Sequence, residues 1–389
     1  MIKHGARAFG AVVAAGAVVL AAAACGSGKS GGDGVQIAFM GALTGPNAQL
    51  GINIYDGAKL AIDQHNAKKG VTKVTLKKYD TQGDPTQASQ QARKVISDKN
   101  VAVIGPAFSG ESKTADPVLE SGKMPNISPS ATAVSLAQNG WKYWHRALAN
   151  DDVQGPGDAD YLANQVKAKS VAVIDDQSEY GLGLGDAVRK QLKTDGVTVN
   201  PSDKIDPNGS DYSTTVNKIT AAKPDAVFFA GYYSAAAKLV KQLRDGGFTG
   251  TFMSGDGSQD QKLGDQGGQA AEGAIVSCTC SLAVGSSDPA AQKFEKDYTA
   301  KWKTGPSTYS SEGFDSTNIV LKAIDSGKKD TEAINDFLKT VDYKGVSKEI
   351  KFNDKGELSA PLLFISQFQN GKLTYLGDIK TAKAKLTQS

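Results

Sequence analysis

Two loops rich in hydroxyl side chains each follow a short apolar run in this 389-residue chain. Ser109 lies in the loop after residues 101–104, and Ser130, Ala131 and Thr132 lie in a second such loop. Hydroxyl groups and the free backbone N–H groups at a helix N-terminus bind carboxylates, and the helix dipole adds to the attraction. The two loops therefore predict a site for a carboxylate.

Asp256 has the complementary chemistry, because a carboxylate accepts hydrogen bonds from an ammonium group. It follows the short run 252–254, and open α/β sheets bind their ligands beside such strand ends. Taken singly, residues of these types are common helix caps and turn formers. Together they predict donors and an acceptor for the opposite ends of a short zwitterion.

Patterns typical of nucleotide binding and of catalysis are incomplete. The glycine-rich stretch 180–185 has Asp186 where a dinucleotide fingerprint requires its third glycine. Ser109 is flanked at two residues' distance by Ala107 and Glu111, where a nucleophile elbow requires glycine. We therefore expect no enzyme and no cofactor, with a secreted hydrolase using Ser109 as the alternative.

The histidines and cysteines do not form a metal-binding pattern. His4, His65 and His145 are scattered along the chain, so we expect no metal site. Cys278 and Cys280 would lie on one face of a strand, and their bond would close a very small ring. A disulfide and two free thiols both stay open.

The N-terminus has the order of an export signal. Lys3 and Arg7 precede the uncharged run 8–24, and Cys25 follows it at the start of a glycine- and serine-rich stretch. The segment resembles a bacterial lipoprotein signal, which implies that residues 1–24 are removed and Cys25 is lipidated. Plain secretion and a single membrane-spanning helix are the alternatives.

Residues 25–34 then form a flexible tether that holds the protein at the outer face of the cytoplasmic membrane. Loss of Lys3 and Arg7 changes the formal net charge from +3 to 3 − 2 = +1. A protein this near neutrality has no electrostatic basis for binding nucleic acid.

Beyond the tether, short β-branched runs alternate with amphipathic helices, which is typical of βα units around parallel sheets. The polar stretch 150–157 is expected to separate two lobes, and a helix is expected to start near Leu184. The predicted strands are Val35–Met40, Val74–Tyr79, Val101–Ile104, Val171–Ile174, Ala226–Ala230 and Ala274–Ser277.

Five motifs between about Val35 and Gly377 resemble those of the branched-chain amino acid binding proteins of ABC transporters. They are residues 41–51, 79–85, 127–132, 180–181 and 229–233. The resemblance implies an α/β fold with two Rossmann-like lobes of parallel sheets joined by a three-stranded hinge, the type I periplasmic binding protein fold.

The same resemblance implies how the chain is divided and what it binds. Residues 35–150 plus 281–357 form the first lobe, and residues 151–280 plus 358–389 form the second. The expected partners are a small amino acid and the permease subunits of an ABC transporter, and the protein is expected to be a monomer. A sensor that reports its ligand to a membrane partner is the alternative.

The family's ligand contacts carry over residue by residue. Ser109 and the backbone around Ser130, Ala131 and Thr132 would hold the α-carboxylate and part of the ammonium from the first lobe. Asp256 would accept the ammonium, with Tyr232 beside it and Tyr180 as an aromatic wall.

Three departures from the family limit what the ligand can be. Asp256 replaces a longer Glu, and Leu50 stands where relatives often carry an aromatic residue. Gly83 and Phe108 replace the cysteines of a disulfide found in some relatives. Leucine, isoleucine or valine is the expected ligand, and other amino acids, short amides and urea are the alternatives.

Overall fold

The computed structural model describes residues 34–359 and 361–386. The predicted export signal, Cys25 and most of the tether lie outside these ranges. No helix within them is long and apolar enough to cross a membrane.

The first sheet has five parallel strands in the order β2-β1-β3-β4-β5. Strands β1 and β3 are buried along nearly their whole length, which explains their predominantly apolar sequences. The strands are β1 (Val35–Gly41), β2 (Val74–Asp80), β3 (Val103–Ile104), β4 (Asn126–Ser128) and β5 (Trp144–Arg146).

The second sheet has seven strands in the order β14-β13-β10-β9-β8-β6-β7. Five are parallel, and the C-terminal hairpin β13–β14 adds two antiparallel strands at one edge. The bounds are β6 (Ser170–Asp175), β7 (Thr198–Lys204), β8 (Ala226–Ala230), β9 (Thr251–Ser254), β10 (Ile275–Cys278), β13 (Phe364–Gln369) and β14 (Lys372–Asp378). A small ladder, β11 (Tyr343–Lys344) with β12 (Glu349–Ile350), precedes that hairpin.

Helices connect the strands and bury the apolar faces predicted from the 3.6-residue period. Ile54, Ala58, Ala61 and Ile62 are all buried on one such face. The helices are α1 (Ala48–Asn66), α2 (Pro85–Ser97), α3 (Ser109–Ser121), α4 (Asp151–Asp160), α5 (Glu179–Thr194), α6 (Ser213–Ala222), α7 (Tyr233–Asp245), α8 (Gln261–Gly267), α9 (Pro289–Trp302), α10 (Ser310–Asp325) and α11 (Thr331–Leu338).

Three short segments are called the crossing segments here: residues 147–150 follow β5, residues 279–283 follow β10, and residues 357–359 precede β13. The Thr279 hydroxyl donates to the Ala149 carbonyl at 3.3 Å, and Asn150 Nδ2 donates to Glu357 Oε1 at 2.9 Å. The crossing segments are therefore hydrogen-bonded to one another. The α/β fold with two parallel-sheet lobes is as predicted, while the lobe boundaries stay a prediction.

The stretch 150–157, predicted to separate the two lobes, is mostly helix, because the Asn150 side chain caps α4 by accepting from Asp152 N, and Gly155 and Gly157 let the helix pack closely. The helix expected from Leu184 begins at Glu179, because Ser178 caps it by accepting from Gly181 N at 2.9 Å.

Two strands differ in extent from the prediction. The structure limits β3 to Val103–Ile104, although the predicted strand began at Val101. It places β10 at Ile275–Cys278, one residue later than predicted.

Gly57 lies where α1 packs against the first turn of α10. A Cβ at this position would stand 1.9 Å from the Ser310 carbonyl oxygen and 3.0 Å from Phe314 N. The absence of a side chain at Gly57 thus permits the close approach of α1 to α10, and this contact positions the first turn of α10.

We expect Gly57→Ala to lower the free energy of unfolding by about 1–3 kcal/mol, because the added methyl overpacks this contact. Alanine is otherwise the better helix former by about 1 kcal/mol. Urea unfolding followed by circular dichroism measures the change. Gly305→Ala is the control, since a Cβ there meets no heavy atom within 4 Å; equal effects of the two substitutions would contradict the packing argument.

Candidate functional site

A small cavity of about 10 Å³ lies between loops that follow strands of both sheets. Six of the eight residues predicted to bind a ligand line it, and the sequence prediction missed four further lining residues. The six are Leu50, Ser109, Ser130, Tyr180, Tyr232 and Asp256, and the four are Ala107, Phe108, Gly257 and Tyr309.

Asp256 forms one end of the cavity and is buried. Tyr180 Oη donates to its Oδ1 at 2.6 Å, and Tyr309 Oη donates to its Oδ2 at 2.5 Å. Burial raises the pKa of Asp256, and the two tyrosine hydroxyls partly offset that rise. Each carboxylate oxygen has a second lone pair, so the group can accept further hydrogen bonds from a ligand.

Aromatic rings form one wall. Tyr232 stacks between Phe108 and Tyr180, with ring centroids 4.7 Å and 5.2 Å away. Its backbone N–H donates to Asp176 Oδ2 at 3.2 Å, which fixes the residue at the start of α7. The wall therefore offers an apolar surface beside the polar groups of the cavity.

Ser109 and Ser130 also line the cavity. Ser109 is the first residue of α3, and its hydroxyl accepts from Ala133 N at 3.2 Å. Ser130 Oγ donates to the Ala107 carbonyl, which joins the two hydroxyl-rich loops. The predicted convergence of these loops at a helix N-terminus is therefore present in the geometry.

Ala131 and Thr132 lie behind this surface and do not line the cavity. Ala131 N donates to Ser128 Oγ at 3.0 Å, and the Thr132 carbonyl accepts from Asp151 N at 3.0 Å. Both residues are buried. They shape the loop from behind.

Three buried acids lie close enough to interact electrostatically. Burial and the neighbouring Asp256 raise the pKa of Asp151 from 3.8 to about 8. Burial likewise holds the pKa of Asp158 well above its ordinary range. The Thr132 hydroxyl offsets part of the rise in the pKa of Asp151. The carboxyl oxygens of Asp151 and Asp158 have no hydrogen-bond partner within the required geometry among the described residues. We therefore expect Asp151 to carry a proton at neutral pH.

Sequence reasoning missed Tyr309 and the acids of α4 for different reasons. Tyr309 precedes α10 with a φ of +67° and reaches Asp256 across more than fifty residues of sequence, and no local pattern marks it. Asp151, Gln154 and Asp158 follow helical spacing and share one buried face. Polar residues that recur with the 3.6-residue helical period were the signal from which this buried face could have been predicted.

Neither histidine of the described ranges bonds to Ser109. His65 faces Asp325 at 2.9 Å, and His145 Nδ1 faces the Asn126 carbonyl at 3.2 Å. Cys278 and Cys280 are joined by a disulfide in the structure. Between residues 34 and 386, apart from residue 360, no group of three or more His, Cys, Asp or Glu side chains could hold a metal ion.

The fold and this interlobe cavity define a solute-binding protein. Residues 34–372 match the family model described as periplasmic binding protein, and the chain belongs to that family. Its fold is the type I periplasmic binding protein fold. The family and its members similar to this chain are binding proteins and not enzymes, and membership indicates an extracytoplasmic location.

Three similar proteins bind aliphatic amino acids according to their names. A Leu/Ile/Val/Thr-binding protein of Salmonella typhimurium is 36% identical over 246 residues, 63% of this chain and 67% of the relative. A Leu/Ile/Val-binding protein of Rhizobium johnstonii is 30% identical over 346 residues, 87% of this chain and 93% of the relative.

A branched-chain amino acid transporter substrate binding protein of Streptococcus pneumoniae, solved with isoleucine, superposes with a TM-score of 0.82. It is 25% identical, and the match covers 91% of this chain and 99% of that one.

We expect Asp151→Asn to stabilise the protein increasingly as the pH rises from 4 to 8. In this window the unfolded chain ionises Asp151 while the folded chain keeps it protonated, so wild-type stability falls with rising pH. The substitution removes that penalty, which grows by at most about 1.4 kcal/mol per pH unit.

Urea unfolding of both proteins at pH 5 and pH 8 measures the difference. Asp152→Asn, at the exposed neighbouring position of the same helical turn, is the control. A stability difference that is the same at both pH values would contradict the proton assignment.

Proposed function

We propose that the protein captures a free aliphatic amino acid, with leucine, isoleucine and valine as the ligand class, and delivers it to the permease of an ABC transporter. A carboxylate acceptor and hydroxyl and backbone donors line the same cavity, and this combination carries the proposal. A free amino acid carries its ammonium and its carboxylate on one carbon, so it needs an acceptor and donors close to that carbon.

In this proposal Asp256 accepts the ammonium. Its two tyrosine donors hold the carboxylate in one orientation, and the residue lines the cavity with lone pairs to spare. The N-terminus of α3, with Ser109 and the loop of Ser130 to Thr132, takes the carboxylate. The dipole of this 13-residue helix adds to the attraction.

The ligand's side chain would pack against the aromatic wall and Leu50. Leu50 lies in α1, is fully buried and contributes an apolar side chain to the cavity lining. A small apolar pocket separates ligands that differ by one methylene by only about 1–3 kcal/mol. We therefore expect leucine, isoleucine and valine to bind with affinities within about 200-fold of one another.

We assign residues 35–150 and 281–357 to one lobe, and residues 151–280 and 358–389 to the other. On this division Leu50, Ser109 and Tyr309 belong to the first lobe, and Tyr180 and Asp256 to the second. The ligand would then be held between the lobes, and its entry would require hinge opening.

Polar contacts between these lobes support a closed arrangement of the binding site. Asn53 Nδ2 donates to Asp260 Oδ2 at 3.0 Å between buried side chains. At the exposed rim, Lys113 Nζ lies 2.7 Å from Glu179 Oε2. Hinge opening would break both contacts. The buried hydrogen bond between Asn53 and Asp260 favours closure more than the exposed ion pair between Lys113 and Glu179 does.

We expect Asp256→Asn to weaken L-leucine binding by about 2–5 kcal/mol, because the ammonium then lacks its counter-charge. Isothermal titration calorimetry measures the loss, and asparagine keeps the size of the side chain. The control ligand is 4-methylpentanoate, which lacks the ammonium and should bind both proteins with similar, low affinity. Unchanged leucine affinity would remove Asp256 from the site.

We also propose that Cys25 is lipidated after removal of residues 1–24, which would tether the protein to the outer face of the cytoplasmic membrane. Two features support this: the order of charged, apolar and small residues before Cys25, and the glycine-rich stretch after it. The folded part would then be free to reach the permease.

Metabolic labelling with an alkyne fatty acid tests the anchor. We expect label and membrane retention in the wild-type protein and loss of both in Cys25→Ser. Ser27→Ala is the matched control, and label that survives in Cys25→Ser would refute lipidation at this residue.

A further inference from the structure

Arg146 is a fully buried cation at the C-terminal end of β5. Its guanidinium stacks over the ring of Trp144, 5.1 Å from the ring centroid. Burying an arginine is costly unless its donors are satisfied, so the groups that it binds define its role. None of the cavity-lining residues is among them.

One side of the guanidinium holds the loop after β4 by its backbone. Nη1 donates to the carbonyls of Ala131 and Ala133, at 3.1 Å and 2.9 Å. The intervening carbonyl of Thr132 accepts from Asp151 N at 3.0 Å. Three successive carbonyls of the loop are thus bound, two by Arg146 and one by the backbone N–H of Asp151.

This arrangement fixes the loop against Ser109, a residue that lines the cavity. In a planar trans peptide the N–H points opposite to the C=O, so the N–H groups of residues 132, 133 and 134 point away from these donors. The N–H of Ala133 reaches Ser109 Oγ, which lines the cavity. A cationic donor on the carbonyl also polarises the peptide and strengthens its N–H as a donor.

The other side of the guanidinium reaches the crossing segments. Nη2 pairs with the Glu357 carboxylate, and Glu357 Oε1 also accepts from Asn150 Nδ2 at 2.9 Å. Asn150 caps α4, and Asp151 in the first turn of that helix binds the Thr132 carbonyl. One charged network therefore links the loop to the first and third crossing segments.

We propose that Arg146 is a positioning residue for ligand recognition: it fixes the loop at Ala131 and Ala133, and through the Ala133 N–H it holds the Ser109 hydroxyl in place for the ligand's carboxylate. Glu357 and Asn150 couple that alignment to the crossing segments. The inference rests on the proposed function, because it requires a ligand with a carboxylate at this end of the cavity. Arg146 itself does not touch the ligand.

The principal test measures L-leucine binding by calorimetry for Arg146→Lys and for Arg146→Met combined with Glu357→Gln. The double variant removes both charges, so that no unpaired carboxylate is left to unfold the protein. We expect it to bind L-leucine about 10- to 100-fold more weakly, as loss of charged hydrogen bonds predicts. Arg146→Lys should recover part of the affinity, and wild-type affinity in the double variant would overturn the proposal.

A double-mutant cycle separates positioning from a general loss of structure. Ser109→Ala acts at the same end of the cavity through Ala133, so its effect should be non-additive with that of the double variant. Leu50→Ala acts on the ligand's side chain and should be additive. Additivity with Ser109→Ala would contradict the proposed role.

Hydrogen exchange without ligand gives an independent result. In the double variant we expect faster exchange in residues 130–134, with the amides of β1 and β8 unchanged. If the wild-type protein binds none of leucine, isoleucine and valine, the proposed function fails, and this exchange still decides the positioning role. Unchanged exchange in residues 130–134 would refute it.

Discussion

The burial of the Asp256 carboxylate is the constraint on which the site depends. A carboxyl group removed from water is costly unless hydrogen bonds replace the lost hydration. The two replacements come from distant segments, Tyr180 in the first turn of α5 and Tyr309 just before α10. Satisfying one acid therefore requires both of these helix starts to be in place, and the close packing at Gly57 positions the second of them.

The proposed acceptor and donor groups of the cavity differ in kind. The acceptor is a side chain, Asp256, whose residue type can be read directly from the sequence. In the proposed binding mode the donor end combines the Ser109 hydroxyl with peptide groups at the start of α3, and the loop after β4 supports it. Small residues such as Ala131 and Ala133 can serve in this loop because their backbone carbonyls, and not their side chains, make the contacts with Arg146.

This difference explains how much of the protein could be predicted from its sequence. The βα alternation and the helix faces follow from local periodicity, and Ser109, Ser130 and Asp256 follow strands whose carboxyl ends meet between the sheets. Tyr309 and Arg146 act only through partners that tertiary packing brings to them, so no local pattern predicts them. Helix α4 was not predicted because its glycines and its proline disfavour a helix, and the stabilising cap at Asn150 outweighs that effect.

The disulfide between Cys278 and Cys280 encloses a single residue, Thr279, in the second crossing segment. A covalent link across so short a loop removes little conformational entropy from the unfolded chain, so it adds little global stability by that route. Its effect is local: it restricts the backbone torsions on either side of Thr279, whose hydroxyl binds the neighbouring crossing segment at Ala149. The bond thus stiffens the second crossing segment, and the oxidation state of this cysteine pair becomes a determinant of how far the segment can bend.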